Sequence, residues 1–284
     1  MTRRVVLIAW IAGLTLGLAH GVAEVPAAIC AAAAVPALAW AALVCLLARR
    51  EREPMAVVAA ALLAGAVVAA WPASNINQTL LDWLTTVTSE SSARWTVPAV
   101  IAPIVEELAK AVALILLVIL VPRRTSTIVR GMASGALVGI GFAMTENVQY
   151  LTLAAIQGGT TGLWHAAYLR GLLGGLQHAT FTAATGVGLA YGRQASTTVW
   201  RWLAAGLGLV AATTQHVVWN AIVAGAITEM LCGAKPAGGP CQSSPDAVAL
   251  FVTTPLLALV TVAPGIVALF VIIARARQPE SVTG

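Results

Sequence analysis

The sequence predicts an all-α fold, a polytopic bundle of about eight helices that cross a membrane. Hydrophobic residues make up 59% of the 284 positions and charged residues only 10%, with a mean hydropathy of +0.88. Several apolar runs are long enough to cross about 30 Å of hydrocarbon. Each should be a helix, because lipid offers the backbone no hydrogen-bond partner. No linker or soluble segment stands out, so we expect one integral membrane domain over residues 1–284.

Eight apolar runs define the expected spans, which are joined by short loops. The longest connecting segment, 73–97, carries Leu80, Leu81, Leu84 and Val87 at helical spacing. That spacing is typical of an amphipathic interfacial helix serving as a lid or gate, although an ordinary connecting loop anchored by aromatic residues is an equal alternative. The expected spans are 5–23, 26–47, 55–72, 98–121, 128–156, 166–191, 202–231 and 247–274.

Positive charges fall almost entirely on one side of these spans. Of the 16 Lys and Arg residues, Lys110 and Arg170 lie within spans, and only Arg94 and Lys235 lie in loops on the opposite side. Because cytoplasmic loops are enriched in Lys and Arg, we expect a multi-pass protein of the cytoplasmic membrane with both termini in the cytoplasm. The net charge of +5 then reflects topology, and we expect the lipid bilayer as a partner and no nucleic acid.

The four cysteines divide by location. Cys30 and Cys45 lie in the second span, whereas Cys232 and Cys241 flank an outer loop rich in Gly and Pro. The outer face of a cell membrane is the oxidising one, so a disulfide between the latter pair would staple that loop.

Small residues indicate which helix faces pack against other helices. Gly131, Gly135 and Gly139 repeat every four residues in the fifth span, and Glu146 follows almost two full turns later on the same face. His178 in the sixth span has glycines four and seven residues before it and a threonine four after it. Both polar groups are therefore expected to point into protein and away from lipid.

Four consecutive spans carry polar side chains of the types that hydrolysis needs. A charged group at the centre of a membrane costs roughly 2.5–3.5 kcal/mol, so such a cluster requires partners or a function. Counted along each span at 1.5 Å per residue, the groups differ in depth by about 10 Å, which helix tilt can absorb. The groups are Glu106, Glu107 and Lys110, then Glu146 and Asn147, then His178, and finally His216 with Asn220.

The two adjacent glutamates are expected to differ in environment. Glu106 and Lys110 stand at i and i+4, and Glu107 and Lys110 at i and i+3, so the lysine can hold one carboxylate ionised while the other activates water. The spacing leaves the assignment open, with Glu107 slightly less able to pair along the helix.

Two chemistries fit these residue types. In one, Glu146, His178 and His216 bind a divalent metal ion, with zinc favoured, and Glu106 or Glu107 is the general base. In the other there is no metal, a glutamate activates water directly, and His216 with Asn220 stabilises the tetrahedral intermediate. The residue types do not distinguish the metal-dependent chemistry from the metal-free one, because no short metal-binding motif such as HExxH is present.

Several motifs in this region resemble one known family. EELAK at 106–110 matches EExxK, GIGFAMTENVQY at 139–150 matches GxGFAxxENxxY, and His178 and the HxxxN of QHVVWN at 215–220 follow. The sequence looks like the PrsW family of intramembrane proteases, which is similar to the CAAX prenyl endopeptidase and bacteriocin-processing group. That group has FxxxH where this chain has FxxxE. The resemblance covers a protease-like core at about 98–222.

The resemblance implies a function that the residues alone do not establish. It implies an endopeptidase acting within the membrane, usually metal-dependent, on a membrane-anchored protein such as an anti-sigma factor. The implied active-site set is Glu106, Glu107, Glu146, His178 and His216. It points to no particular substrate-binding residue or oligomeric state.

Two other classes of function remain open. Intramembrane Glu and His residues also form proton relays, so a proton-coupled transporter or channel is one alternative, although the paired repeats of transporters are not evident. A catalytically silent membrane scaffold on the same fold is the other, and it predicts that Glu107 can be replaced without loss of function.

Overall fold

The computed structural model describes residues 2–51 and 53–224, with a few isolated positions between 252 and 263. Every element assigned in this part of the chain is helical, which confirms the all-α prediction there. Most of the eighth expected span, 247–274, lies outside the described residues. Cys232 and Cys241 lie outside them entirely. The α-helices are α1 (Thr2–Gly21), α2 (Ala27–Leu47), α3 (Met55–Leu63), α4 (Ala70–Val87), α5 (Glu90–Thr96), α6 (Ala102–Leu120), α7 (Ile128–Ala166), α8 (Gly175–Gln194) and α9 (Thr198–Val218).

Among the described residues, three helices are long and apolar enough to cross a membrane. They are Ala27–Leu47, Met55–Val87 and Ile128–Gln194, and α1 adds a shorter apolar stretch, Val5–Gly21. Helix α6 is comparably long, but it carries the three charges at 106, 107 and 110. These helices define an integral membrane protein.

Several α-helices join end to end through wider π-helical turns. Such segments lie at Ala64–Ala69, Val97–Ile101 and Ala167–Gly174, and a fourth, Trp219–Ala224, follows α9. The first of them makes α3 and α4 one helical rod of 33 residues. At 1.5 Å per residue this rod is about 50 Å long, well beyond the hydrocarbon thickness of about 30 Å.

The connecting segment 73–97 is therefore helical, and most of it extends the third span. Helix α4 continues to Val87, and α5 begins after Ser89, whose side chain accepts a hydrogen bond from the Ser92 amide as an N-cap. The expected amphipathic helix exists, but it does not start as a separate element.

Helix α7 lies at the centre of the bundle, and glycines set how closely its neighbours approach. A Cβ atom at Gly135 or Gly139 would overlap the carbonyl oxygen of Thr182 or His178 on α8. On another face, a Cβ at Gly141 would overlap the Leu62 carbonyl oxygen at the end of α3. The expected packed face of the fifth span is confirmed, and backbone contact on both sides holds the segment that leads to Glu146.

Helix α7 changes direction at Gly159. This residue has φ 59° and ψ −148°, a conformation that only glycine adopts without strain. The break lies close to the expected end of the fifth span at 156, although helical structure resumes up to Ala166.

Three positively charged loops lie at one end of the bundle. Arg130 Nε at the start of α7 is 2.9 Å from carboxylate oxygens of both Glu51 and Glu53, which precede α3. Arg193 at the end of α8 donates to Thr125 Oγ1, which lies between α6 and α7, at 3.2 Å. These contacts join three loops that the charge pattern assigns to the same side of the membrane.

The contact between α7 and α8 predicts a large effect of adding one methyl group. Gly135→Ala should destabilise the protein by about 1–3 kcal/mol, because backbone atoms of Thr182 cannot move aside as a side chain would. Thermal unfolding in detergent measures this. Gly13→Ala in α1 is the control, since its Cβ has nothing within 4 Å, and it should leave Tm unchanged or slightly raised. Equal melting temperatures for the two variants would contradict the close packing.

Candidate active site

Helix α6 carries its three charged residues into the protein interior. Glu106 is 5% exposed, and Glu107 and Lys110 are both 0% exposed. Lys110 Nζ donates to Glu107 Oε1 at 2.7 Å and lies 3.8 Å from Glu106 Oε2. The lysine therefore pairs mainly with Glu107. The helical spacing slightly favours Glu106 as its partner, but both spacings allow contact, and the side-chain rotamers decide which pair forms.

The Glu107 carboxylate is fully engaged by protein groups. In addition to Lys110, Thr182 on α8 donates to Glu107 Oε2 at 3.2 Å. His216 Nδ1 on α9 lies 3.0 Å from Glu107 Oε1, a distance at which the ring N–H donates to the carboxylate. A histidine held in this way has its Nε2 lone pair available. Glu107 thus joins α6, α8 and α9 and orients His216.

The two histidine rings lie against each other in an aromatic environment. The ring centroids of His178 and His216 are 5.0 Å apart at an interplanar angle of 86°. Phe181 stacks on His216 with a centroid distance of 4.9 Å, and Phe142 lies 5.6 Å from His178. Lys110 Nζ lies 2.9 Å from His178 Nδ1, so His178 Nε2 is the nitrogen that faces away from the lysine.

Glu146 on α7 binds a cation of its own. Arg170 Nη2 lies 2.8 Å from Glu146 Oε2, and His178 Nε2 lies 3.1 Å from the same oxygen. Asn147 accepts a hydrogen bond from Arg170 Nε at 3.2 Å, and the guanidinium lies 3.6 Å above the Tyr150 ring. Three groups of α7 therefore hold the partly buried guanidinium of Arg170 in place.

Glu106 is the glutamate that is left with a free oxygen. Asn77 on α4 donates to Glu106 Oε1 at 3.2 Å. Glu106 Oε2 is buried and makes no hydrogen bond to any described residue. It lies 3.7 Å from His216 Nε2. The two atoms are both acceptors, so a water molecule, a proton or a metal ion is needed between them.

A cavity of about 310 Å³ is lined in part by Glu106. Three helices surround it: α4, the start of α6 and the middle of α7, with Glu106 and Glu146 both in its wall. Asn220 lies beside it, since its side chain donates to the carbonyl oxygen of the lining residue Pro98 at 3.0 Å. Of the predicted site residues, Glu106 and Glu146 line this cavity, and His178 and His216 contact these two glutamates from behind its wall.

A divalent metal ion fits part of this cluster. One potential ligand atom from each of Glu106, His178 and His216 lies within 4.8 Å of the others, and all three residues are buried. Three carboxylates also stand here against two cations, Lys110 and Arg170, and the nearer cation to Glu106 Oε2 is Lys110, at 3.8 Å, which lies closer to Glu107. The unbonded Glu106 oxygen and the His216 nitrogen supported by Glu107 suit an ion. Glu146 was the carboxylate expected in this set, but it binds Arg170 and His178.

Asn77, the hydrogen-bond donor to Glu106, is not among the residues predicted for the site. A signal for it was present: Ser74, Asn77, Gln78 and Leu81 recur at helical spacing in the segment treated as a connection. Asn77 lies outside the region of about 98–222 that carries the motifs, so the resemblance does not point to it.

The fold and the cluster together define the class of protein. A buried set of glutamates and histidines beside an accessible cavity, within helices that cross a membrane, is suited to hydrolysis inside the bilayer. The family described as PrsW family intramembrane metalloprotease matches residues 53–274, more than half of the chain. The chain belongs to this family, and it is an intramembrane protease. No curated protein and no solved structure matches it.

The buried ion pair in α6 predicts an asymmetric response to mutation. Lys110→Met should destabilise the protein by about 3–5 kcal/mol, because Glu107 remains buried without its cation. The double variant Lys110→Met/Glu107→Gln should recover most of this loss, since no unpaired charge remains. Unfolding of the purified protein in a denaturing detergent measures both.

The matched control for this experiment is an exposed ion pair. Arg94 and Glu90 on α5 are 2.8 Å apart with exposed side chains, so Arg94→Met should cost no more than about 1 kcal/mol. If the double variant of α6 is less stable than Lys110→Met alone, an unpaired Glu107 charge is not the cause of the lost stability.

Proposed function

We propose that this protease cleaves a peptide bond of a membrane-anchored substrate protein, such as an anti-sigma factor, from the cavity between α4, α6 and α7. One observation carries the proposal: Glu106 Oε2 is buried, free of hydrogen bonds to described residues and 3.7 Å from His216 Nε2 beside that cavity. The pair can hold a water molecule within reach of a substrate carbonyl carbon.

The proposal gives the two glutamates different roles. Glu106 meets the reacting water, and Asn77 fixes its orientation through Oε1. Glu107 acts at a distance, because it holds the ring of His216 and the ammonium of Lys110 and does not line the cavity. Asn220, beside Pro98, is in a position to donate to the oxyanion that develops on the substrate.

A divalent ion, with zinc favoured, completes the proposed site, and its ligands are Glu106, His178 and His216. When bound, such an ion supplies Lewis acidity at the scissile carbonyl and makes the attacking water more acidic. The support for Glu106 over Glu146 as the carboxylate ligand is that Arg170 already lies 2.8 Å from Glu146 Oε2. Without an ion, Glu106 Oε2 itself takes the proton of the attacking water.

The proposed topology is eight spans in the cytoplasmic membrane with both termini in the cytoplasm. Its support is the contact between charged loops, since Arg130 and Arg193 bring the segments before α3, after α6 and after α8 to one end. The cavity residues of α4 and the start of α6 lie toward the opposite ends of their helices. The active site then opens toward the outer half of the bilayer.

Cleavage of a single-span reporter in reconstituted liposomes tests the function. Glu106→Gln and His216→Ala should each reduce the cleavage rate by about 100-fold or more, because each removes a group that contacts the reacting water. Glu90→Gln is the control, since this glutamate lies on the surface of α5 and should not affect cleavage. Folding of each variant is checked by thermal unfolding. Undiminished cleavage by both folded variants would exclude the proposed site.

Metal content of the same preparations tests the ligand set. Active wild-type protein should contain about one zinc ion per chain. Glu106→Gln should lose most of it, whereas Glu146→Gln should retain it, because Glu146 is bound by Arg170. Full activity in a metal-free sample would show instead that Glu106 activates water without a metal.

A further inference from the structure

The polar residues of the ENxxY sequence at 146–150 on α7 all contact one side chain, that of Arg170. Arg170 Nη2 lies 2.8 Å from Glu146 Oε2, and Arg170 Nε donates to Asn147 Oδ1 at 3.2 Å. Asn147 Nδ2 in turn donates to the carbonyl oxygen of Arg170 at 3.3 Å, and the guanidinium lies 3.6 Å from the centre of the Tyr150 ring. The proposed hydrolysis gives Asn147, Tyr150 and Arg170 no role of their own.

Helix α2 holds the segment that carries Arg170 by a separate set of contacts. The segment is the π-helical turn Ala167–Gly174. Trp40 Nε1 on α2 donates to the carbonyl oxygen of Gly171 at 3.3 Å, and a Cβ atom at Gly171 would lie 3.0 Å from the ring of Pro36. The backbone beside Arg170 is therefore placed by groups outside the reactive cluster, and Glu146 is the partner with a second possible position.

That second position is at the proposed ion site. Glu146 Oε2 is 3.1 Å from His178 Nε2, and Glu146 lines the same cavity as Glu106. Glu146 Oε2 is buried and forms no hydrogen bond of regular geometry with described residues, so attraction between charges is what holds it beside Arg170. With a divalent ion bound at His178, this carboxylate has two cations that compete for it, the ion and the guanidinium.

We propose that Arg170 is a positioning residue that withholds Glu146 from the ion, so that Glu106 is the carboxylate ligand. The inference rests on the proposed function and adds to it the group that selects between two glutamates in the wall of one cavity. The selection matters for the reaction, because Glu106 Oε2 faces His216 Nε2 at 3.7 Å across the proposed water position. With Glu146 as the ligand instead, the ion would be held from α7 and this water would lose its place.

Zinc binding by variants that lack the Glu106 carboxylate tests the selection. Purified protein is incubated with Zn²⁺, freed of unbound ion by gel filtration and analysed for zinc. Glu106→Gln should bind little, whereas Glu106→Gln/Arg170→Gln should recover about one ion per chain, because Glu146 is released to take the vacant position. Adding Glu146→Gln to this double variant should abolish the recovery.

Two further variants are the controls for the zinc measurement. Glu106→Gln/Arg170→Lys keeps a cation beside Glu146, so its zinc content should stay low. Glu106→Gln/Arg94→Gln removes an arginine that pairs with Glu90 on the exposed surface of α5, and it should also stay low. Absence of zinc from the folded Glu106→Gln/Arg170→Gln protein, or equal zinc after Glu146→Gln is added, would overturn the proposal.

Cleavage kinetics separate this inference from the proposed function. Arg170→Gln alone should lower kcat about tenfold with KM nearly unchanged, because Glu146 then competes with Glu106 and substrate binding is not touched. Adding Glu146→Gln should raise kcat again, whereas an Arg170 that only supports the fold would leave the double variant as impaired as the single one. Cleavage by zinc-free wild type would refute the proposed ligand set and this inference together. Zinc in the wild type without recovery in Glu106→Gln/Arg170→Gln would refute the inference alone.

Discussion

The ammonium group of Lys110 is the charge on which the arrangement of the site depends. It lies between Glu107 Oε1 at 2.7 Å and His178 Nδ1 at 2.9 Å, so it joins α6 to α8, and through Glu107 it also fixes His216 on α9. In a medium of low polarity these contacts are strong only while every member has a partner. The network therefore sets the relative positions of three helices and of both imidazole rings.

The same network gives the adjacent glutamates Glu106 and Glu107 different surroundings. Consecutive residues of an α-helix point about 100° apart, so Glu106 and Glu107 cannot face the same surroundings. One direction leads to Lys110, Thr182 and His216, and the other leads to the cavity. Helix geometry alone thus separates a structural carboxylate from one that can react.

Much of this arrangement follows from the sequence, and the exceptions have physical reasons. The glycine repeat predicts the face of α7 that contacts α8, because close backbone approach excludes any side chain. Meeting of Glu106 with both histidines is likewise predicted from depth in the bilayer. The pairing of Glu146 with Arg170 is not predicted from the sequence. The two residues lie on different helical segments, and only the fold brings them together. Asn77 is not predicted either, because it lies outside the region of about 98–222 that carries the motifs.

The π-helical turn Val97–Ile101 places a constraint on chain length just before the site. A π-turn contains one residue more than an α-turn, so α6 begins with its side chains rotated by about 100° relative to an uninterrupted α-helix. Loss of a single residue from this turn would restore regular winding and rotate both glutamates away from their present neighbours. In evolutionary terms, this short stretch of apolar residues should accept many substitutions and reject nearly every insertion or deletion.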